Sequence, residues 1–285
     1  MGGKPVYIDS IKGLEEKANH LRRLVLDMCV RAGTGHVTSS FSCAEIFTAL
    51  YYGGVLRYDV AKPAWEDRDR FILSKGHASA ILYPVLADLG FYPAGELDKF
   101  CRADGMFGVH LQNDVPGVEI CSGSLGHGIG VAAGLALAAK MDRKTYMVFT
   151  LLGDGECYEG SVWESAMFAS HHELDNLIAF VDRNRLCATD FTEECVRLDP
   201  MDKKWEAFGW ETVTIDGHSL EQIFAALGDF RSRPNQKKKP LVIVANTVKG
   251  KGVSFMEGQP LWHAVAPSGE QARRARVELT GKGGK

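Results

Sequence analysis

Asp154 and Asn184 are the residues whose types and spacing first suggest chemistry. Asp154 sits between Gly153 and Gly155, at the end of an apolar run from Tyr146 to Leu152. Asn184 closes Asp182-Arg183-Asn184, after a second apolar run from Leu177 to Val181. An amphipathic stretch separates the two runs, so the segment reads as strand, helix, strand. The thirty residues between Asp154 and Asn184 match about one βαβ unit. Parallel strands joined by a crossover helix bring their carboxyl ends to one sheet edge, where α/β proteins place ligands. Two oxygen donors at that edge suit a hard cation that also holds a phosphate, typically magnesium. The competing reading is plain turn chemistry, with an aspartate between glycines and an asparagine accepting a local backbone hydrogen bond.

The elements that must position this pair follow from periodicity. Ile11, Leu14, Ala18, Leu21, Leu24, Val25 and Met28 recur at helical steps, and the helix stops at Ala32-Gly33-Thr34-Gly35-His36. Ser42 with Glu45 three residues later predicts a capping box for a second helix, to about Tyr52. Arg70 to Ser74 reads as a short buried strand, broken by Lys75-Gly76-His77, and helical period resumes from Ala78 to Leu89. Residues 102–122 carry no period and read as a loop holding His110. Ser122-Gly-Ser-Leu-Gly-His-Gly-Ile-Gly130 opens a helix of small residues, Val131 to Ala139, which permits close backbone approach. Glu211 to Ile215 and Leu241 to Asn246 read as two further strands, with a helix capped by Ser219-x-x-Gln222 between them. Strands alternating with helices predict an α/β domain with a largely parallel central sheet and helices on both faces. The expected division is an N-terminal tail over 1–10, one domain over 11–278, and a flexible tail over 279–285.

At 285 residues the chain is long enough to bury a substantial core, and its formal charge of −3 argues against nucleic-acid or membrane-surface binding. Seven scattered cysteines form no C-x-x-C pair and no zinc spacing, which predicts reduced thiols in a cytoplasmic protein. The N-terminus lacks the apolar core of a signal peptide, and no apolar stretch is long enough to span a bilayer. The run Lys237-Lys238-Lys239 reads as a solvated loop.

Several familiar sites are absent. Gly126, Gly128 and Gly130 miss the dinucleotide fingerprint, and there is no G-x-x-x-x-G-K-[ST], G-x-S-x-G or H-E-x-x-H. What remains, Gly153-Asp154-Gly155 followed thirty residues later by Asn184, resembles the thiamine-diphosphate signature. The flanking blocks sharpen that resemblance. Arg31-Ala-Gly-Thr-Gly-His36 with Ser42 to Tyr51, Asp67 to His77, Ser122 to Gly126, Leu151 to Gly160, and Thr247 to Gly252 with Trp262-His263 are similar, in order, to the conserved blocks of transketolases. The likeness runs over about residues 10 to 275. It covers only the first half of a full-length transketolase, without the pyrimidine-binding half and its activating glutamate. A chain of this size resembles the N-terminal, diphosphate-binding subunit of a split transketolase.

The resemblance implies thiamine diphosphate as cofactor and magnesium as metal, with calcium or manganese as substitutes. Metal ligands would be Asp154, Asn184 and the backbone carbonyl of Leu186. The cofactor would meet His77, Ser124, Leu125, Gly126, Gly153, Asp154, Gly155, Glu156, Asn184 and His263. His36, His110 and His263 match positions that contact sugar or assist proton transfers, a role that suits histidines titrating near neutrality. Glu159 matches a glutamate that faces the partner's activating glutamate. His127 stands where many relatives carry glutamine. His20, His171, His172 and His218 match nothing and are expected at the surface or at helix ends. The implied reaction transfers a two-carbon ketol unit from a ketose to an aldose, with the cofactor as electron sink. The implied partner is the C-terminal transketolase subunit, in a heterotetramer with two copies of each chain.

Two alternatives share the signature or part of it. One is another thiamine-diphosphate enzyme, a 2-oxoacid dehydrogenase α chain or a deoxyxylulose-phosphate synthase, against which the His36 and Ser74-Lys75-Gly76-His77 blocks weigh. The other is a non-catalytic paralogue, against which the intact metal and histidine set weighs.

Overall fold

Five strands carry the fold: β1 (Arg70–Leu73), β2 (Val148–Gly153), β3 (Leu177–Arg183), β4 (Glu211–Asp216) and β5 (Leu241–Asn246). The computed structural model describes residues 7–234 and 236–280. All the pairings are parallel, in the order β1-β2-β3-β5-β4. β1, β2, β3 and β5 are near-continuous apolar runs because helices cover both faces of the sheet. The period of two sends Phe71, Leu73, Phe149, Leu151, Phe180 and Ile243 into one core and Ile72, Val148, Leu152, Val181 and Val244 into the other. The first core is closed by helices Ile11–Ala32, Val37–Phe41, Ala44–Tyr52, Ser79–Leu89, Leu220–Leu227 and Gly269–Leu279. The second is closed by Gly128–Met141, Gly160–His171 and Met201–Ala207.

The predicted α/β architecture and every predicted strand are present, with ends shifted by a residue or two. The capping box at Ser42 is not. Cys43 occupies the cap position, and no side chain caps that helix. Ser42 Oγ instead donates to the Asp182 carboxylate at 2.6 Å, while Glu45 is held by Arg22 at 2.7 Å. Tertiary partners thus outcompete the local pairing the sequence pattern suggests. The helix Gly269–Leu279 runs to the position where the tail was expected to begin, and Leu279 is buried against the core. Residues 281–285 of that expected tail, and 1–6 of the N-terminal one, lie outside the described residues.

Register fixes what the sheet presents at its carboxyl edge. Gly153 pairs with Asp182, so Asp154 comes level with Arg183, one residue short of Asn184. Asn246 pairs with Arg183, which brings Thr247 level with Asn184. Leu73 pairs with Leu151, so Lys75 arrives beside Gly153. Four strand ends therefore deliver Lys75, Asp154, Asn184 and Thr247 to one edge.

Candidate active site

That edge opens into a cavity of about 550 Å³. Its wall includes eleven of the expected site residues: His36, His77, His110, Leu125, Gly153, Asp154, Gly155, Glu156, Asn184, Leu186 and His263. Ser124, Gly126 and Glu159 are not among the lining residues. Ser124 is exposed and borders a separate hollow with His127. Glu159 is exposed at the start of helix Gly160–His171, where its side chain makes no capping bond.

Asp154 is almost fully buried. Its Oδ1 accepts from the Gly155 amide at 2.9 Å and its Oδ2 from the Arg185 amide at 2.5 Å. Burial, and then the charge of Asp182, raise its pKa to about 7 despite those bonds. Asn184 Oδ1 accepts from the Leu186 amide at 3.2 Å, and its Nδ2 donates to Asp182 at 3.3 Å. The Leu186 carbonyl accepts no hydrogen bond among the described residues. Three oxygen-bearing groups from one strand end and its neighbour thus gather where local bonds leave capacity for a cation.

Beneath them lies an ion pair that carries no exposure on either side chain: the Lys75 ammonium and the Asp182 carboxylate. Lys75 also donates to the Ser39 carbonyl at 2.9 Å, while Thr247 and Ser42 hydroxyls donate to Asp182. Burial opposes both charges, but the pairing wins, raising the Lys75 pKa and lowering that of Asp182. Neither was picked from the sequence as a functional residue. The available signal was an acid at the end of an otherwise apolar doubly buried strand, which such strands tolerate only when it is paired.

Glu156 ties the glycine-rich loop to the strand end. One carboxylate oxygen accepts from the Gly126 amide at 2.8 Å and from the Ser74 hydroxyl, and the other from the Gly153 amide at 3.0 Å. Burial pushes its pKa up against those bonds. Gly126 itself adopts φ +82°, and a Cβ there would stand 2.6 Å from Glu159 Cβ. The loop is therefore closed to any larger residue at that point.

Four imidazoles converge over the cavity. His36 lies with ring centroids 5.5 Å from His77, 6.1 Å from His110 and 5.2 Å from His263, and His77 lies 5.6 Å from His263. Lys249, which is nearly fully buried, sets its Nζ 2.7 Å from His263 Nδ1 and donates to the Cys187 carbonyl at 3.2 Å. The expected titration near neutrality fails for three of these rings. Burial, then neighbouring positive groups, lower His36 to about 4, His263 to about 3, and His77 well below its ordinary value. The same causes bring Lys249 down to about 8. His36 Nδ1, Ser39 Oγ and His110 Nδ1 are buried polar atoms of this wall with no partner among the described residues.

His218, expected at the surface, is instead held in place by a chain of contacts. Its Nδ1 lies 3.0 Å from Glu45, and its Nε2 accepts from the Val248 amide at 2.9 Å, one residue before Lys249. The signal available for it was position, two residues past the carboxyl end of β4. His127 is exposed, with Nδ1 3.1 Å from the Leu125 carbonyl.

Among the described residues no helix is long and apolar enough to cross a membrane. Residues 14–281 match the family described as transketolase, thiamine diphosphate binding domain. The chain is 39% identical over 270 residues to one of the separately encoded subunits of the apulose-4-phosphate transketolase of Phocaeicola vulgatus, covering 95% of each chain. It is 40% identical over 271 residues to the 6-deoxy-6-sulfo-D-fructose transketolase subunit SqwG of a Clostridium species, covering 95% of this chain and 97% of that one. Human transketolase is 40% identical over 254 residues, 89% of this chain but 40% of the human one. Among solved structures, Campylobacter jejuni transketolase superposes with a TM-score of 0.87 at 32% identity, over 95% of this chain and 43% of that one. The chain thus spans about two fifths of the full-length transketolases it matches and nearly the whole of the separate subunits. The matched stretch contains the entire cavity wall, and the chain belongs to the transketolase family as its thiamine diphosphate binding domain.

Proposed function

We propose that this chain is the N-terminal subunit of a two-chain transketolase that moves a two-carbon ketol unit from a phosphorylated ketose to an aldose. The observation that carries the reading is the meeting, in one cavity, of Asp154 and Asn184 with the unpartnered atoms of His36, Ser39 and His110. The nearly complete match to separately encoded transketolase subunits supports the two-chain form.

The donor set fits the cofactor and a divalent ion. Asp154, Asn184 and the Leu186 carbonyl would hold magnesium, with diphosphate oxygens filling other positions, as suits an ion that takes few protein ligands. Manganese or calcium would substitute in the same oxygen set. Two buried carboxylates, Asp154 and Asp182, share only the Lys75 charge at short range, and a divalent cation relieves the excess. His77, Gly155 and Lys249 would face the diphosphate. Thiamine diphosphate, when bound, supplies the electron sink for breaking and remaking a carbon–carbon bond.

The protein's own contribution is positioning and proton placement. Glu156 holds Gly126 and Gly153 at fixed separation, so Leu125 keeps its place in the wall. Lys249 donates to His263 Nδ1, which leaves Nε2 of that ring to carry the proton toward a sugar oxygen. His36 and His110, each with a buried Nδ1 unpartnered, would receive hydroxyl groups of the ketose. Glu159 would face the partner chain, and the exposed Phe191, Val196, Leu261 and Val265, each within a few residues of a lining position, supply apolar surface for it. We assign the assembly two copies of each chain, one domain over 11–278 and, from its unpaired cysteines, a cytoplasmic setting.

The test is reconstitution. This chain alone is expected to be inactive, and the pair with the chain carrying the pyrimidine-binding domain to transfer ketol units from a ketose phosphate. A pair that binds the cofactor but decarboxylates pyruvate, or turns over no ketose, would refute the reading.

A further inference from the structure

We infer that Cys187 and Cys195 form a redox-active dithiol in the cavity wall, taking a low-molecular-weight disulfide of the glutathione class as oxidant. The two sulfurs lie 3.4 Å apart. A disulfide places them at about 2.05 Å, so roughly 1.4 Å of approach by side-chain rotation completes the bond.

Their proximity is imposed by backbone. Leu186 and Phe191 form an antiparallel bridge, the Cys187 amide donates to the Asp190 carbonyl at 3.0 Å, and the Cys195 amide donates to the Phe191 carbonyl at 3.2 Å. This folds the chain between the cysteines back on itself. Thr189 Oγ1 sits between the thiols, 3.5 Å from Cys187 Sγ and 3.8 Å from Cys195 Sγ. Cys195 is exposed and Cys187 half-buried, so a dissolved oxidant reaches both, whereas Cys29, Cys43 and Cys157 are buried.

The step balances without a further reactant. The thiolate of one cysteine attacks a sulfur of the small disulfide, forming a mixed disulfide and expelling one small thiolate. The second cysteine then attacks the protein sulfur of that mixed disulfide, forms Cys187–Cys195 and expels the other thiolate. Two protein thiols lose two electrons and two protons, and one small disulfide becomes two small thiols. The exposed, short-span bond belongs to the class that reducing thiols readily reopen.

The location gives the bond a consequence. Both cysteines line the cavity, and the Cys187 carbonyl receives Lys249, which holds His263. Oxidation cross-links the loop after Asn184 and Leu186 to the helical turn Thr192–Cys195, at the lip of the site. The inference stands on these contacts alone and does not depend on which reaction the cavity serves.

The experiment uses the full chain, reduced, desalted and incubated with glutathione disulfide. Two of the seven thiols are expected to disappear, with non-reducing peptide mapping linking Cys187 to Cys195 and dithiothreitol restoring all seven. The Cys195→Ser variant is expected to retain glutathione on Cys187, because no resolving thiol remains. Seven thiols surviving in the wild-type chain, losses spread over other cysteines, or a Cys195→Ser variant that still loses two thiols would overturn the inference.

Discussion

Lys249 Nζ stands 2.7 Å from His263 Nδ1, and the pair fixes which nitrogen of the ring carries a proton. Lys249, held down to about 8 chiefly by burial, remains mostly protonated at pH 7 and can only donate. His263 Nδ1 is therefore the acceptor, and the neutral ring is protonated on Nε2. Burial and then Lys249 keep this ring uncharged down to about pH 3. Replacing Lys249 with methionine removes the nearest positive charge while keeping bulk. The His263 titration midpoint should rise toward the ordinary histidine value, followed by the ring Cε1–H shift in NMR between pH 3 and 8. An unmoved midpoint would show that burial alone sets it.

Asp154 carries opposite consequences for folding and for binding. Its pKa is raised from 3.8 to about 7 by burial and by Asp182, so its charged form works against the fold. With a raised carboxylate, stability falls as pH climbs from about 4 through about 7. Asp154→Asn should leave metal-free thermal stability at pH 8 unchanged or higher. It should also weaken magnesium-dependent binding of thiamine diphosphate by at least about 10–100-fold, the range that even outer contacts to a metal produce. Calorimetry with magnesium or with a chelator separates the two effects, and full affinity in the variant would remove Asp154 from the metal site.

How much of this was legible in the sequence depends on whether the signal was local. Strands β2 and β3 are apolar runs closed by polar residues, so Asp154 and Asn184 stand out by position. Period and order yield the parallel sheet, and the family blocks pick out four histidines that the fold sets within 6.1 Å of His36 or closer to one another. Long-range pairings were not legible. Ser42 looks like a helix cap until Asp182, 140 residues later, claims its hydroxyl. His218 looks like a turn residue until Glu45 and the Val248 amide are found on either side of its ring. Side-chain ionisation was equally hidden, because burial and the Lys75 and Lys249 charges beneath the rings exist only once the chain has folded.

The contacts of Glu45 predict how the fold responds to acid. Burial pushes this carboxyl up, but the Arg22 guanidinium and the His218 hydrogen bond outweigh it and hold it at about 2. A carboxyl depressed from 4.5 in this way contributes stability that is complete above about pH 4.5 and lost as pH falls toward 2. The drop corresponds to something on the order of 3 kcal/mol. Glu45→Gln should flatten the acid arm of a stability-against-pH curve measured by urea unfolding between pH 3 and 6. It should also loosen the Val248 amide, seen as faster hydrogen exchange there, because His218 loses its anchor. An unchanged acid arm would place the carboxylate outside the cooperative fold.

Lys75 and Asp182 make the sharpest stability prediction, since neither side chain is exposed. Removing one member of a buried pair strands the other charge, at a cost of about 3–5 kcal/mol. Lys75→Met should therefore destabilise strongly, leaving Asp182 with only the Ser42 and Thr247 hydroxyls and the Asn184 amide. Asp182→Asn in the same background removes the stranded charge while keeping an acceptor for those donors. The double variant should recover a large part of the lost stability, because replacing both charges of a buried pair is far less damaging than breaking it. Urea unfolding of the two single variants and the double gives the coupling directly. Strictly additive losses would mean that the two residues act on the fold independently, and the buried ion pair would then have no energetic standing.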